Sequence, residues 1–262
     1  MIPDLPAPAA ARSYEAVLRT VEADLRSGKL TVGGRLPGER MLAQSHGISR
    51  ASVRDAIRVL EAMGVVRTSV GSGPNSGAIV VANAAAGMGT TLRLHMATRM
   101  FPVDDIIATR ILMETWATQE AAEREHPAEA LARAEALLAR MDDPGMDRET
   151  FHALDAQFHV LLSSLSGNAV ITAMMESLRL AVQDYVSESI DDEATWAAIV
   201  PGLRVQHHGI MDAVFKHDGG AAAERLRHHI RWFDEQTRRA RTLRAQARRA
   251  EHGGAAHGAV PQ

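Results

Sequence analysis

Asp155 and His159 stand four residues apart in the run Phe-His-Ala-Leu-Asp-Ala-Gln-Phe-His, residues 151–159. On a helix that spacing sends both side chains off one face, a usual arrangement for two ligands of one metal ion. Two histidine doublets follow, His207-His208 and His228-His229. Helical phase separates the members of each doublet. His207 shares a face with the apolar Leu203, Ile210 and Val214, and His229 shares one with Leu226 and Phe233, whereas His208 and His228 fall among charged residues. One carboxylate and three inward imidazoles from three helices form a donor set for a first-row divalent ion; zinc is expected, and nickel or manganese also suit nitrogen and oxygen ligands. Without an ion, these four groups would be costly to bury. Singly, each would read as an ordinary hydrogen-bonded histidine or carboxylate, and His95 and His217 are read that way. His152 is either a supporting group beside the cage or a surface residue.

A second constellation has different chemistry. Arg50, Arg54 and Arg58 recur every fourth residue beside Ser52, while Val53, Ala56, Ile57 and Leu60 take the opposite face. A guanidinium can grip a guanine edge with two parallel hydrogen bonds or clamp a phosphate. Alone, such a stripe is commonly a solvated helix face, so its neighbours decide.

The elements that must position these groups divide near residue 83. Apolar spacing predicts a helix over 13–27 stopped by Gly28, a short helix over 37–45 opened by Pro37 and closed near Gly47, and a third helix capped by Ser49 and ended by Gly64. Residues 65–70 and 78–81 read as strands around the hairpin tip 71–77. A short helix, a tight turn at His46-Gly47-Ile48 and a basic helix make a helix-turn-helix, with the hairpin as its wing. Residues 82–89 are small and polar, and 83–89 is expected to be a linker. Beyond it, helices are predicted at about 90–100, 104–125, 127–140, 147–166, 169–188, 201–217 and 220–250, punctuated by proline, glycine and asparagine. The expected fold is mainly α: a winged helix-turn-helix over 12–82, an all-α helical bundle over 90–250, and a disordered tail over 251–262.

Composition sets the bounds. The chain of 262 residues has no cysteine, which excludes disulfides, thiolate metal sites and thiol nucleophiles and leaves the aspartate and histidine chemistry. No apolar run reaches the ~20 residues of a membrane span, and the N-terminus lacks the basic start of a signal peptide, so a cytoplasmic protein is expected. The formal net charge of −3 conceals an uneven distribution: +3 over residues 1–83, −12 over 84–224 and +6 over 225–262. The basic head fits a DNA reader and the acidic middle a domain that stays off DNA.

Gly34-Arg-Leu-Pro-Gly-Glu-Arg-Met-Leu-Ala43 and Gly47-Ile-Ser-Arg-Ala-Ser-Val-Arg-Asp-Ala-Ile-Arg-Val-Leu-Glu61 closely resemble the winged helix-turn-helix of GntR-type transcription regulators. The resemblance covers 14–81 and implies operator contacts by Arg40, Ser49, Arg50, Ser52 and Arg54, with Gly71 at the wing. Arg50 and Arg54 are the candidates for reading bases; Arg58 is read as touching phosphate or an acidic neighbour. The tip 71–77 is longer than the Gly-x-Gly expected. The second part, through Asp155-Ala-Gln-Phe-His159, Gly167-Asn168, Gln206-His207-His208-Gly209-Ile210 and Leu226-Arg-His-His-Ile230, resembles the FadR-type C-terminal (FCD) ligand-binding domain. Where that family usually has Glu-His-Arg, this chain has Gln206-His207-His208, which keeps the metal histidine.

The resemblance implies metal ligation by Asp155, His159, His207 and His229, and a small organic acid as effector with Arg110 pairing its carboxylate. The residues alone equally allow Arg110 a helix-surface ion pair with Glu114, one turn on. The function expected is a homodimeric regulator, a repressor, of a palindromic double-stranded operator, without membrane contact and without enzymatic activity. The rival reading is a metal-dependent hydrolase or lyase with a fused DNA-binding head; against it, no separate general base of the His-Glu-x-x-His kind accompanies the ligands.

Overall fold

In the computed structural model, which describes residues 9–255 apart from 70–76, 82, 99 and 191, the chain separates into two units, Met1–Met88 and Gly89–Gln262. In the first, α1 (Ala9–Arg26), α2 (Glu39–His46) and α3 (Arg50–Ala62) are followed by β1 (Val66–Ser69) and β2 (Gly77–Val80). The apolar stripes read from the sequence meet here: Val17 and Val21 of α1 join Leu42 of α2 and Val53, Ala56 and Leu60 of α3 in one core, with Val66 and Val80 closing it. β1 and β2 pair antiparallel in the register Val66↔Val80 to Ser69↔Gly77. Gly47 caps α2 at φ 62°, a conformation that glycine adopts without steric cost, and it makes the sharp turn into α3. Ser49 then caps α3, its Oγ accepting from the Ser52 amide at 3.0 Å.

The second unit is helical, with α4 (Ala84–Ala97) running into it and α5 (Val103–Ala122), α6 (Ala128–Met141), α7 (Arg148–Leu165), α8 (Ala169–Ser189), α9 (Glu193–Phe215) and α10 (Gly219–Ala255) completing it. α10 packs along both α5 and α9, and α7 packs against α5, α6 and α8. Asp147 and Asn168 cap α7 and α8, accepting from backbone amides at 2.8 Å and 3.0 Å, which fixes where each helix starts. The main core is built from Phe151, Leu154, Phe158 and Leu162 of α7, Trp196, Leu203 and Ile210 of α9, and Leu226 and Ile230 of α10. This apolar wall carries the polar groups described below.

Three expectations need correction. The helix expected from about residue 90 starts at Ala84, so the residues expected to link the two units form its first turns. Three alanines in a row, Ala84–Ala86, favour helix strongly, and the glycines serve close packing: a Cβ at Gly87 would lie 2.7 Å from the Met63 backbone, and one at Gly89 would lie 3.1 Å from Leu180 Cβ. The helix expected from Pro201 starts eight residues earlier, at Glu193, and carries Pro201 inside it. Burial of Trp196 and Ile199 anchors those first two turns and offsets the hydrogen bond the proline cannot make. Last, residues 251–255, expected to be disordered, continue α10 from the arginine- and alanine-rich stretch before them, and the helix runs on through Gly253 and Gly254. Gly71 lies outside the described residues, as do 256–262.

Candidate metal centre and nucleic-acid interface

α7 presents Asp155 and His159 one turn apart, α9 presents His207 and α10 presents His229. The four ligand atoms lie within 4.8 Å of one another. The contacts run through the Nε2 atoms: His207 Nε2 to Asp155 Oδ1 is 3.0 Å, His159 Nε2 to the same oxygen 3.6 Å, and His159 Nε2 to His229 Nε2 3.2 Å. Ligands about 2.1 Å from one ion are roughly 3.0–3.4 Å apart, so the spacing fits a common ion. His207 Nε2 and Asp155 Oδ1, although close, are not aligned as a hydrogen bond, and both His207 nitrogens are buried without one. Two polar atoms that face the same point rather than each other are what a cation requires.

The surroundings fix each ring. Glu114 Oε2 is 2.5 Å from His159 Nδ1, and Gln206 Oε1 is 2.9 Å from His229 Nδ1. With its Nδ1 proton donated to an oxygen, each of these rings turns the Nε2 lone pair toward the centre. His207 is held by packing, stacked on Phe151 at 6.3 Å and tilted against Phe158 at 5.0 Å. Burial pushes the His207 and His229 pKa values down, toward the neutral form that binds metal. For Asp155, burial works against ionisation, but Arg179 and then His159 outweigh it and hold the carboxyl well below the usual range. Glu114 is likewise opposed by burial and kept ionised by Arg110, His159 and Arg179.

Arg110 sits inside this network. It is 7% exposed and its Nε donates to Glu114 Oε1 at 2.8 Å, so the ion pair with Glu114 exists but is buried, not on a helix surface. Arg110 also lines a small chamber with His152, Asp155, Arg179, Leu203, His229, Ile230 and Phe233. Two supporting residues escaped the sequence reading. Arg179 of α8 donates from Nη1 to Asp155 Oδ2 at 2.8 Å, and its signal was a charge interrupting the apolar series Met175, Leu178, Val182. Gln206 stands where a glutamate was expected, and its carbonyl oxygen performs the orienting contact. His152 flanks the chamber against Trp196, ring centroids 5.0 Å apart. His208 is exposed and pairs with Asp142 at 2.8 Å.

The Gln206 contact carries a prediction. Gln206→Leu keeps the volume and removes the acceptor, so metal affinity should fall by about 10- to 100-fold. A competition titration with a chromophoric chelator reads the change directly; unchanged affinity would mean that Gln206 does not orient the ring.

On the first unit, Arg40, Arg50 and Arg54 are exposed, with Ser49 and Ser52 at the N-terminus of α3 beside them. Glu39 Oε2 accepts from Arg54 Nε at 2.9 Å and lies 3.5 Å from Arg50 Nη2, tying both guanidiniums to the start of α2. Arg58 pairs instead with Asp55 at 3.2 Å. A capped basic helix behind a tight turn, with a hairpin following, is a shape that enters a DNA groove.

Comparison with known proteins agrees with both halves. The "Bacterial regulatory proteins, gntR family" description matches residues 13–74, and the "FCD domain" description matches residues 105–231. The chain belongs to the GntR family of transcriptional regulators. Relatives of this GntR–FCD regulator include the Glc operon transcriptional activator of Escherichia coli (strain K12), 27% identical over 222 residues, covering 83% of this chain and 85% of that protein. Another is the HTH-type transcriptional regulator LutR of Bacillus subtilis (strain 168), 25% identical over 210 residues and covering 79% and 92% respectively. Among solved structures, Streptococcus agalactiae GntR superposes with a TM-score of 0.56 at 18% identity, covering 88% of this chain and 99% of that one, which supports the fold. No helix among the described residues is long and apolar enough to cross a membrane.

Proposed function

We propose that this GntR–FCD regulator is a metal-dependent, acid-responsive repressor of the FadR type, acting in the cytoplasm as a homodimer on a palindromic operator. The observation that carries the reading is the convergence of three Nε2 atoms and one carboxylate oxygen in a buried chamber bordered by two arginines. Asp155, His159, His207 and His229 would hold the ion, for which zinc fits the borderline nitrogen and oxygen donors. Bound there, the ion supplies a positive centre that attracts a carboxylate, and Arg110 adds a second charge beside it. Arg40, Ser49, Arg50, Ser52 and Arg54, with Gly71 of the wing, make the operator contacts.

Glu114 argues against the hydrolase or lyase alternative. It is the carboxylate beside the cage, yet Arg110, His159 and Arg179 hold its pKa well below the usual range, so it is a poor proton acceptor, which fits a supporting role rather than proton transfer. Pairing of two copies is supported by Leu112 and Trp116, one turn apart on α5 and exposed. The acid regulates only if it prefers one of the two states of the dimer.

The test uses a duplex selected by the protein from a random pool. Anisotropy titrations compare zinc-loaded with chelator-stripped protein, across small 2-hydroxy and dicarboxylic acids. At least one acid should weaken operator binding by about 5- to 150-fold, and only with metal present. Operator affinity indifferent to every acid would sink the regulatory reading, and turnover of an acid would favour the enzyme.

A further inference from the structure

The chamber beside the cage is too small for the proposed effector. Its volume is about 30 Å³, room for roughly two waters. An open groove of about 620 Å³ lies between α6, α7 and α8. The two spaces share one lining residue, Arg179. Its side chain is only 10% exposed; Nη1 is engaged by Asp155, Nη2 lies 3.8 Å from Glu114 Oε2, and Nε has no hydrogen-bond partner. A buried guanidinium with a donor left unmet at the junction of the two spaces points to an anionic ligand there.

We propose that the groove is the outer half of the effector site, and that the effector is a carboxylate with an extended apolar chain. This rests on the reading of the cage as an effector site. The carboxylate lies between the metal position and Arg179 Nε, while the chain follows the groove outward. Leu137 of α6, Val160 of α7 and Leu180 of α8 supply apolar contact along it, and Arg140 at its rim favours acids over neutral ligands. A ligand confined to the small chamber would need none of these features.

The probes are 2-hydroxypropanoate, 2-hydroxyhexanoate and 2-hydroxyoctanoate, titrated calorimetrically into the zinc-loaded full chain. Affinity should rise by up to roughly fourfold per added methylene until the groove is filled. Val160→Trp, which fills the groove, should abolish that gain while leaving zinc content unchanged. Ala136→Trp, on the exposed wall of α6, serves the same purpose should the first variant not fold. Equal affinity for all three acids in the unmodified protein overturns the proposal, as does a chain-length gain that survives the groove-filling variants. If zinc binds but even 2-hydroxypropanoate does not, the effector reading itself fails and the groove proposal falls with it.

Discussion

Replacing Arg50 and Arg54 together with alanine lowers operator affinity by roughly 30-fold to 10⁴-fold per head, with little change in stability. A well-placed bidentate contact to a base discriminates by about 1–3 kcal/mol, and two such contacts are lost at once. Both guanidiniums stand on the outer face of α3, with side chains 61% and 53% exposed, so removing them leaves the core of Val53, Ala56 and Leu60 intact. Their ion pairs with Glu39 are solvent-exposed and contribute little. The double variant also loses discrimination between the selected duplex and a scrambled one, because base readers carry sequence information and phosphate contacts do not. Anisotropy at several salt concentrations separates the two roles. A loss confined to the salt slope, with discrimination intact, would assign both arginines to the backbone.

The second large effect belongs to the cage. His207→Ala should weaken metal binding by more than about 100-fold, since changes to groups that merely orient ligands already cost 10- to 100-fold. The consequence is visible in thermal unfolding. At a free zinc concentration a thousand times the dissociation constant, binding stabilises the unmodified chain by about 4 kcal/mol, a rise of roughly 8–16 °C in Tm. The variant should show almost none of that rise. Comparing the rise with added zinc, rather than the Tm itself, separates metal loss from the packing lost against Phe151 and Phe158. A variant that retains the zinc-dependent rise would exclude His207 from the ligands.

The inward face of each doublet was legible because adjacent residues on a helix diverge by about 100°, so one member must point away from the apolar face. His207 and His229 are 1% and 4% exposed, whereas His208 and His228 face solvent. Elements with strong punctuation were legible too: Ser49 and Gly47 bracket the turn of the DNA-reading head, and Asn168 starts α8.

The supporting contacts were not. Glu114 and His159 are 45 positions apart, and Arg179 lies 24 from Asp155, so their meeting depends on how α5, α7 and α8 pack. Local periodicity shows which face is buried but not which neighbour it finds. The start of α4 was missed for a different reason. Gly87 and Gly89 resemble the glycines of a flexible linker, while their role is to let other groups approach the helix. Pro201 was read as a boundary because a proline is easiest to place at a helix start, and tertiary burial of Trp196 overrode that preference.

Everything proposed for the second unit depends on Asp155, His159, His207 and His229 forming one metal site. Calorimetric titration of zinc into the metal-stripped chain tests it most directly, with His159→Ala and His229→Ala as the paired comparison. The unmodified protein should show one saturable site per chain, and neither variant a site of comparable affinity. Absence of saturable binding, or binding that both variants preserve, would contradict it.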